Sequence, residues 1–176
     1  MQLHFLKQFP WGEPTHFIEK IWAGFSHNDF LREQRDGCWS TEAFKENWPY
    51  GDCESLWGTF MNAKPKIHTM RDDINNRWHD GRLIHFVQWT GKPYRSKIYQ
   101  FAPVIPCMSV QKVFMSVADF LEVTIDDSYL YYKDILTLAI NDGFNSVEEM
   151  QGWFFPPGCR HDSWLGKIIH WTDLRY

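Results

Sequence analysis

The stretch KPKIHTMR, Lys64 to Arg71, sets three cations and a histidine around a threonine in a chain that is acidic as a whole. The 176 residues carry a formal charge of −4, yet residues 64–100 hold eight Lys or Arg against three Asp. Residues 25–63 and 101–176 are both net acidic, and residues 1–24 are balanced. Such a distribution argues against non-specific polyanion binding by the whole surface. It points instead to one local basic site, with Lys64, Lys66, His68, Arg71 and Arg77 as the residues to hold RNA or a phosphate. The simpler alternative is a solvated strand or turn, with Thr69 bonded to a turn and Arg71 paired with Asp72 or Asp142.

The rest of the chain bounds what that site can belong to. Apolar residues make up 44% and aromatics 18%, with ten tryptophans, so the composition is that of a chain with a packed core. Tryptophan serves cores, stacking platforms and interfaces alike, so its number chooses none of them. Cys38, Cys53, Cys107 and Cys159 contain no C-x-x-C pair. The opening MQLHFLKQF has neither the apolar run nor the cleavage pattern of a secretory signal. Reduced thiols in a cytoplasmic protein are therefore expected. No stretch approaches the ~18 apolar residues of a membrane span. No metal and no cofactor is expected, since Cys159 and His161 have no partner pair to complete a zinc site.

Working outward from the basic stretch, LHFLKQF (3–9) reads as a strand broken by Pro10, Gly12 and Pro14. Thr15 is expected to cap a helix in which Phe17, Ile21 and Trp22 share a face and which Gly24 ends. Within 25–63, a short helix is expected from Ser40–Glu42 through Trp48. Downstream, RLIHFVQW (82–89), one or two strands within 96–117, FLEVTID (120–126) and KIIHW (167–171) are expected strands. YYKDILTLAI (131–140) has helical spacing and ends at the turn NDGF. Ser146 with Glu149 forms a capping box that opens a helix through Trp153. Trp78, Trp153 and Trp171 are read as core, and Asp72–Asp73 as a solvated turn. Short strands with helices between them predict an α+β fold, a small mixed β-barrel with flanking helices.

In that order, FIEKIWAG (17–24), KIHTMR (66–71), WHDG (78–81) before a strand, and DGFNSVEEM (142–150) resemble the ASCH family of the PUA-like superfamily. The pattern is a helix ending I-x-A-G, a K-x-x-T-x-R stretch, a glycine ten residues on, and an E-G-F-x-S-x-E-E segment. The resemblance implies one PUA-like domain over residues 1–176, with an insertion at 25–63 that compact members lack, and a cleft lined by K-x-x-T-x-R. Relatives are associated with RNA, and a compact one is a 4-acetylcytidine amidohydrolase that uses the motif Lys and Thr with a Glu. Carried over by position, the catalytic residues are Lys66, Thr69 and Asp142, the last one methylene shorter than the family's Glu. Amide hydrolysis would need Lys66 to take the Thr69 proton and a donor such as Arg71 to face the oxyanion.

Three functions are compatible with these observations. The first is binding of RNA or a nucleotide-type ligand in the basic cleft. The second is amidohydrolysis of an acylated nucleoside such as 4-acetylcytidine. The third is recognition of a protein partner through the tryptophan-rich insertion, whose Trp39, Trp48, Trp57 and Phe60 could also dock it as a flap over the cleft.

Overall fold

A computed structural model describes residues 1–27 and 62–176, with the side chains of residues 26 and 27 outside the description. The expected helix at Ser40–Trp48 and the flap at 25–63, with Trp39, Trp48, Trp57 and Phe60, therefore lie outside it, apart from Phe25, Ser26, His27, Asn62 and Ala63. In chain order the elements are β1 (Gln2–His4), α1 (Phe17–His27), β2 (His68–Arg71), β3 (Leu83–Trp89), β4 (Ile98–Gln100), β5 (Ile105–Pro106), β6 (Ser109–Val117), β7 (Leu121–Ile125), β8 (Ser128–Tyr129), α2 (Tyr132–Asn141), α3 (Val147–Phe154) and β9 (Ser163–His170). The fold is α+β, with two sheets, and neither closes on itself among the described residues. No helix among them is long and apolar enough to cross a membrane. The chain divides into two compact units.

The first unit comprises Met1–Lys66 and Leu83–Pro106. Its central strand is β3, to which β1 adds in parallel and β4 and β5 add antiparallel. Pro106 stands opposite Leu83 at the end of a two-residue strand, where a residue without an N–H is tolerated. The strand expected over 3–9 is only β1, since the Gln8–Pro14 bridge turns the chain back on itself. Helix α1 begins two residues after Thr15, whose hydroxyl accepts from the Phe17 N–H and donates to the Leu6 carbonyl. It runs on past Gly24 to His27. A mid-helix glycine costs about 1 kcal/mol, and the burial of Ile21, Trp22 and Phe25 on that helix outweighs it. The core is aromatic: Phe5 stacks on Phe86 at 6.0 Å and meets Phe101 edge-on at 5.8 Å. The Trp22 indole N–H donates to the Phe101 carbonyl at 3.0 Å, so the buried ring leaves no orphan donor.

The second unit comprises Ile67–Arg82 and Cys107–Tyr176. Its five-stranded antiparallel sheet has the order β2-β9-β6-β7-β8. Strand β9 starts four residues before the expected KIIHW, because Ser163 to Leu165 pair with Phe114 to Ser116 of β6. The region 96–117 yields three strands, β4, β5 and β6, rather than one or two. Asp126 and Asp127 both have positive φ in the tight β7–β8 turn, the backbone that a two-residue hairpin requires.

Helix α2 ends as the NDGF turn predicts. Gly143 (φ 91°) occupies the left-handed position, its N–H reaching Ile140 O and the Phe144 N–H reaching Ala139 O. Helix α3 begins at the expected cap, with the Ser146 hydroxyl accepting from the Glu149 N–H. The Glu149 carboxylate bonds Asn145, through its backbone and side-chain nitrogens, rather than reaching back to Ser146.

Candidate ligand cleft

The end of β2, the last turn of α3 and the start of β9 line an open cleft of about 370 Å³ in the second unit. Its walls are aromatic, from Trp153, Phe154 and Trp164, with Arg71, Asp72, Cys159 and His161 as the charged or titratable groups. Phe154 and Trp164 pack at 4.5 Å between centroids, which fixes both rings.

The position of Trp164 depends on Gly166. Both lie on one face of β9, two residues apart. A Cβ at Gly166 would sit 2.2 Å from the Trp164 ring and 2.7 Å from the Arg71 carbonyl oxygen. The ring is thus laid along the strand over a residue with no side chain, beside the backbone of Arg71.

Beside the cleft, Arg71 has a second cation as its strand neighbour. Arg71 of β2 stands in register with Lys167 of β9, a pairing that repels. Lys167 is neutralised by Asp73, with Nζ 3.0 Å from Oδ2. The Asp73 carboxylate also accepts from the backbone N–H groups of Arg77 at 2.8 Å and Trp78 at 3.0 Å. Burial alone would raise its pKa, but the two N–H bonds and Lys167 together hold it below the usual range. Asp73 is consequently not part of a solvated turn: it is the buried anchor of the segment that follows β2.

Arg71 is half-buried, and burial draws its guanidinium below the ordinary value while Asp142 and then Asp72 push it back. Asp142 lies at the C-terminal end of α2, where the helix dipole disfavours an anion. The Met70 N–H, donating at 3.1 Å, and the field of Arg71 compensate.

The residues named from the sequence fall in different places. Arg71 lines the cleft, and Asp142 bonds the backbone of its neighbour Met70. Thr69 is buried on β2, on the face opposite His68 and Met70. Lys64 and Arg77 are exposed. Lys66 belongs to the first unit and is buried, with Nζ 4.8 Å from the Phe17 ring centroid and 5.9 Å from that of Phe5. His68, expected to hold phosphate, is fully buried, with Nε2 2.7 Å from the Tyr176 hydroxyl. An imidazole enclosed in this way does not contribute to an exposed anion site. Trp78 and Trp171 are core, as read from the sequence, whereas Trp153 is half-buried at the cleft.

Phe154, Trp164 and Gly166 were not singled out by the sequence reading, and Asp73 was read with Asp72 as a solvated turn. The one local signal was the W-x-G spacing at Trp164 and Gly166, which on a strand puts a large ring beside a vacant position. No family model, curated protein or solved structure matches this chain.

Proposed function

We propose that the second unit binds a nucleotide-type ligand, a nucleoside phosphate or an unpaired RNA end, in the Arg71 cleft. The observation that carries this reading is the wall of Trp153, Phe154 and Trp164 in a cleft that Arg71, the last residue of the K-x-x-T-x-R stretch, also lines. An aromatic face takes any base by stacking, and Arg71 supplies a permanent charge with several donors. About 370 Å³ is the scale of a small-ligand pocket, not of a duplex groove. In the same reading, β2 and the Schellman turn at Asp142–Phe144 support an ASCH domain built as a PUA-like barrel, although α1 runs past the I-x-A-G at which the family's helix ends.

Tryptophan fluorescence during titration with the four nucleoside monophosphates and a short single-stranded RNA tests the reading. Saturable quenching is expected with at least one of them. Trp164→Ala should weaken binding about tenfold, the effect of one lost stacking contact. Gly166→Ala should do the same by displacing the Trp164 ring. Absence of saturable binding to every probe at low salt overturns it.

Amidohydrolysis has one observation in its favour. Thr69 and Asp142, two of the residues that the resemblance names, are both almost completely buried in the second unit. Polar groups are costly in a core unless hydrogen bonding or function holds them there. Release of cytidine from 4-acetylcytidine by the wild type, and its loss in Thr69→Ala, is the expected result of this reading; no turnover by the wild type removes it.

A further inference from the structure

The second unit has another groove, about 440 Å³, whose charged groups are carboxylates. Phe120, Tyr129, Tyr131 and Tyr132 line it, and all four are exposed, Tyr131 by 73%. The ionisable acids on its lining are Asp119 and Glu148, and no Lys or Arg lines it among the described residues. Tyr129 and Tyr131 meet at 5.6 Å with their planes at 78°, so two ring faces form adjoining walls. Aromatic faces and carboxylates attract the same kind of group, a cation.

A second observation points the same way. Tyr131 is the N-cap of α2, and its side chain makes no capping bond. Ser, Asp or Asn there would satisfy one of the orphan N–H groups that begin the helix. Two exposed tyrosines stand instead at the cap and the first helical position. Local preference is overridden where the rings are displayed, and such departures are expected at functional positions.

We propose that this groove docks a basic peptide of a partner protein, with a lysine or arginine seated against the Tyr129 and Tyr131 faces and paired with Asp119 or Glu148. Exposed rings suit a partner that brings its own surface. The charge of the lining excludes a polyanion.

The test uses the full chain and a ten-residue peptide alternating Lys or Arg with Gly. Its controls are a Glu-for-Lys/Arg version and a ten-nucleotide single-stranded RNA. Amide shift mapping should locate the basic peptide at residues 119–121, 129–132 and 147–151, and calorimetry should show weaker binding as salt rises. Tyr131→Ala should weaken binding about fivefold, and Glu148→Gln less. Tyr131→Ser is the discriminating variant: it should lose the same affinity while Tm rises by about 2 °C from the new cap. Arg71→Ala should leave peptide binding intact, so failure here and failure of the nucleotide reading are separable. The proposal is overturned by any of four results: no shifts in the groove, wild-type affinity in Tyr131→Ser, the RNA shifting these residues, or shifts that track protein concentration without peptide, the mark of a second copy.

Discussion

The Arg71 cleft and the tyrosine groove are both aromatic, and both use α3 as a wall, yet they are built differently. Trp153 and Phe154, at the C-terminal end of the helix, face the cleft, while Val147, Glu148 and Gln151 face the groove. In the cleft, Trp164 is pressed on Gly166 and packed against Phe154, and Arg71 lies in the field of two carboxylates. In the groove, the rings stand in solvent. Preorganised walls suit a small ligand, whose few contacts cannot also bear the cost of ordering the protein. Displayed rings suit a peptide, which adds contacts of its own. Charge then separates the ligands: Arg71 beside Asp72 on the first, carboxylates with no cation among the described residues on the second.

The strongest way to break the comparison is to remove what holds the cleft. Asp73→Ala leaves Lys167 without its carboxylate and two backbone donors without an acceptor. Breaking such a buried pair costs about 3–5 kcal/mol. Denaturant unfolding should show that loss, and nucleotide binding by the variant should fall with it. Peptide binding, measured where the variant is still folded, should persist. A change under 1 kcal/mol would mean that Asp73 does not anchor the segment after β2.

Acid should act on both sites together, through the sheet. His170 is fully buried between His68 of β2 and Ser109 of β6, and neither ring nitrogen has a hydrogen-bond partner among the described residues. Burial, then the charge of Arg175, holds its pKa down to about 4, against a smaller opposing effect of Asp126. The unfolded chain takes up this proton near 6.5, before the folded one does. Stability is therefore full above about pH 6.5 and declines as pH falls through the window down to about 4, by on the order of 3 kcal/mol. Unfolding midpoints at pH 7.5 and 4.5 measure this, and His170→Phe should flatten the difference. Equal slopes in the two proteins would remove His170 as its source. The lowered pKa of Asp73 acts in the same direction but at lower pH, below the ordinary carboxylate range, so the two contributions separate along the pH axis.

What could be read from the sequence was whatever a few adjacent residues decide. The Ser146 cap, the DGF turn, β3 and β7 follow from local spacing, and all are present. Arg71 could be singled out because charge is a local property. The environments of His68 and Asp73 were not legible, because their partners, Tyr176 and Lys167, lie 108 and 94 residues away. Trp164 and Gly166 become a cleft wall only once β9 lies beside β2 and α3 packs near them. Gly24 misled for a related reason: its helical cost is a local quantity, and the apolar burial that overrides it is not.

The finest separation of the two sites comes from the helix that they share. The Ser146 hydroxyl satisfies the Glu149 N–H at the start of α3, and Glu148 and Glu149 add negative charge where the dipole favours it. Ser146→Ala should cost about 1 kcal/mol. That loss falls on the first turn, because the last turn is held independently by Phe154 against Trp164 and by Phe144 against Trp153 and Phe154. Glu148 is on that first turn, and Trp153 and Phe154 are on the last. Hydrogen exchange should therefore quicken at residues 149–151 and remain unchanged at 153–155. Basic-peptide affinity should drop by about twofold, and nucleotide affinity should hold. Equal weakening of both ligands would show that α3 transmits the loss along its whole length, making the cleft and the groove one coupled site.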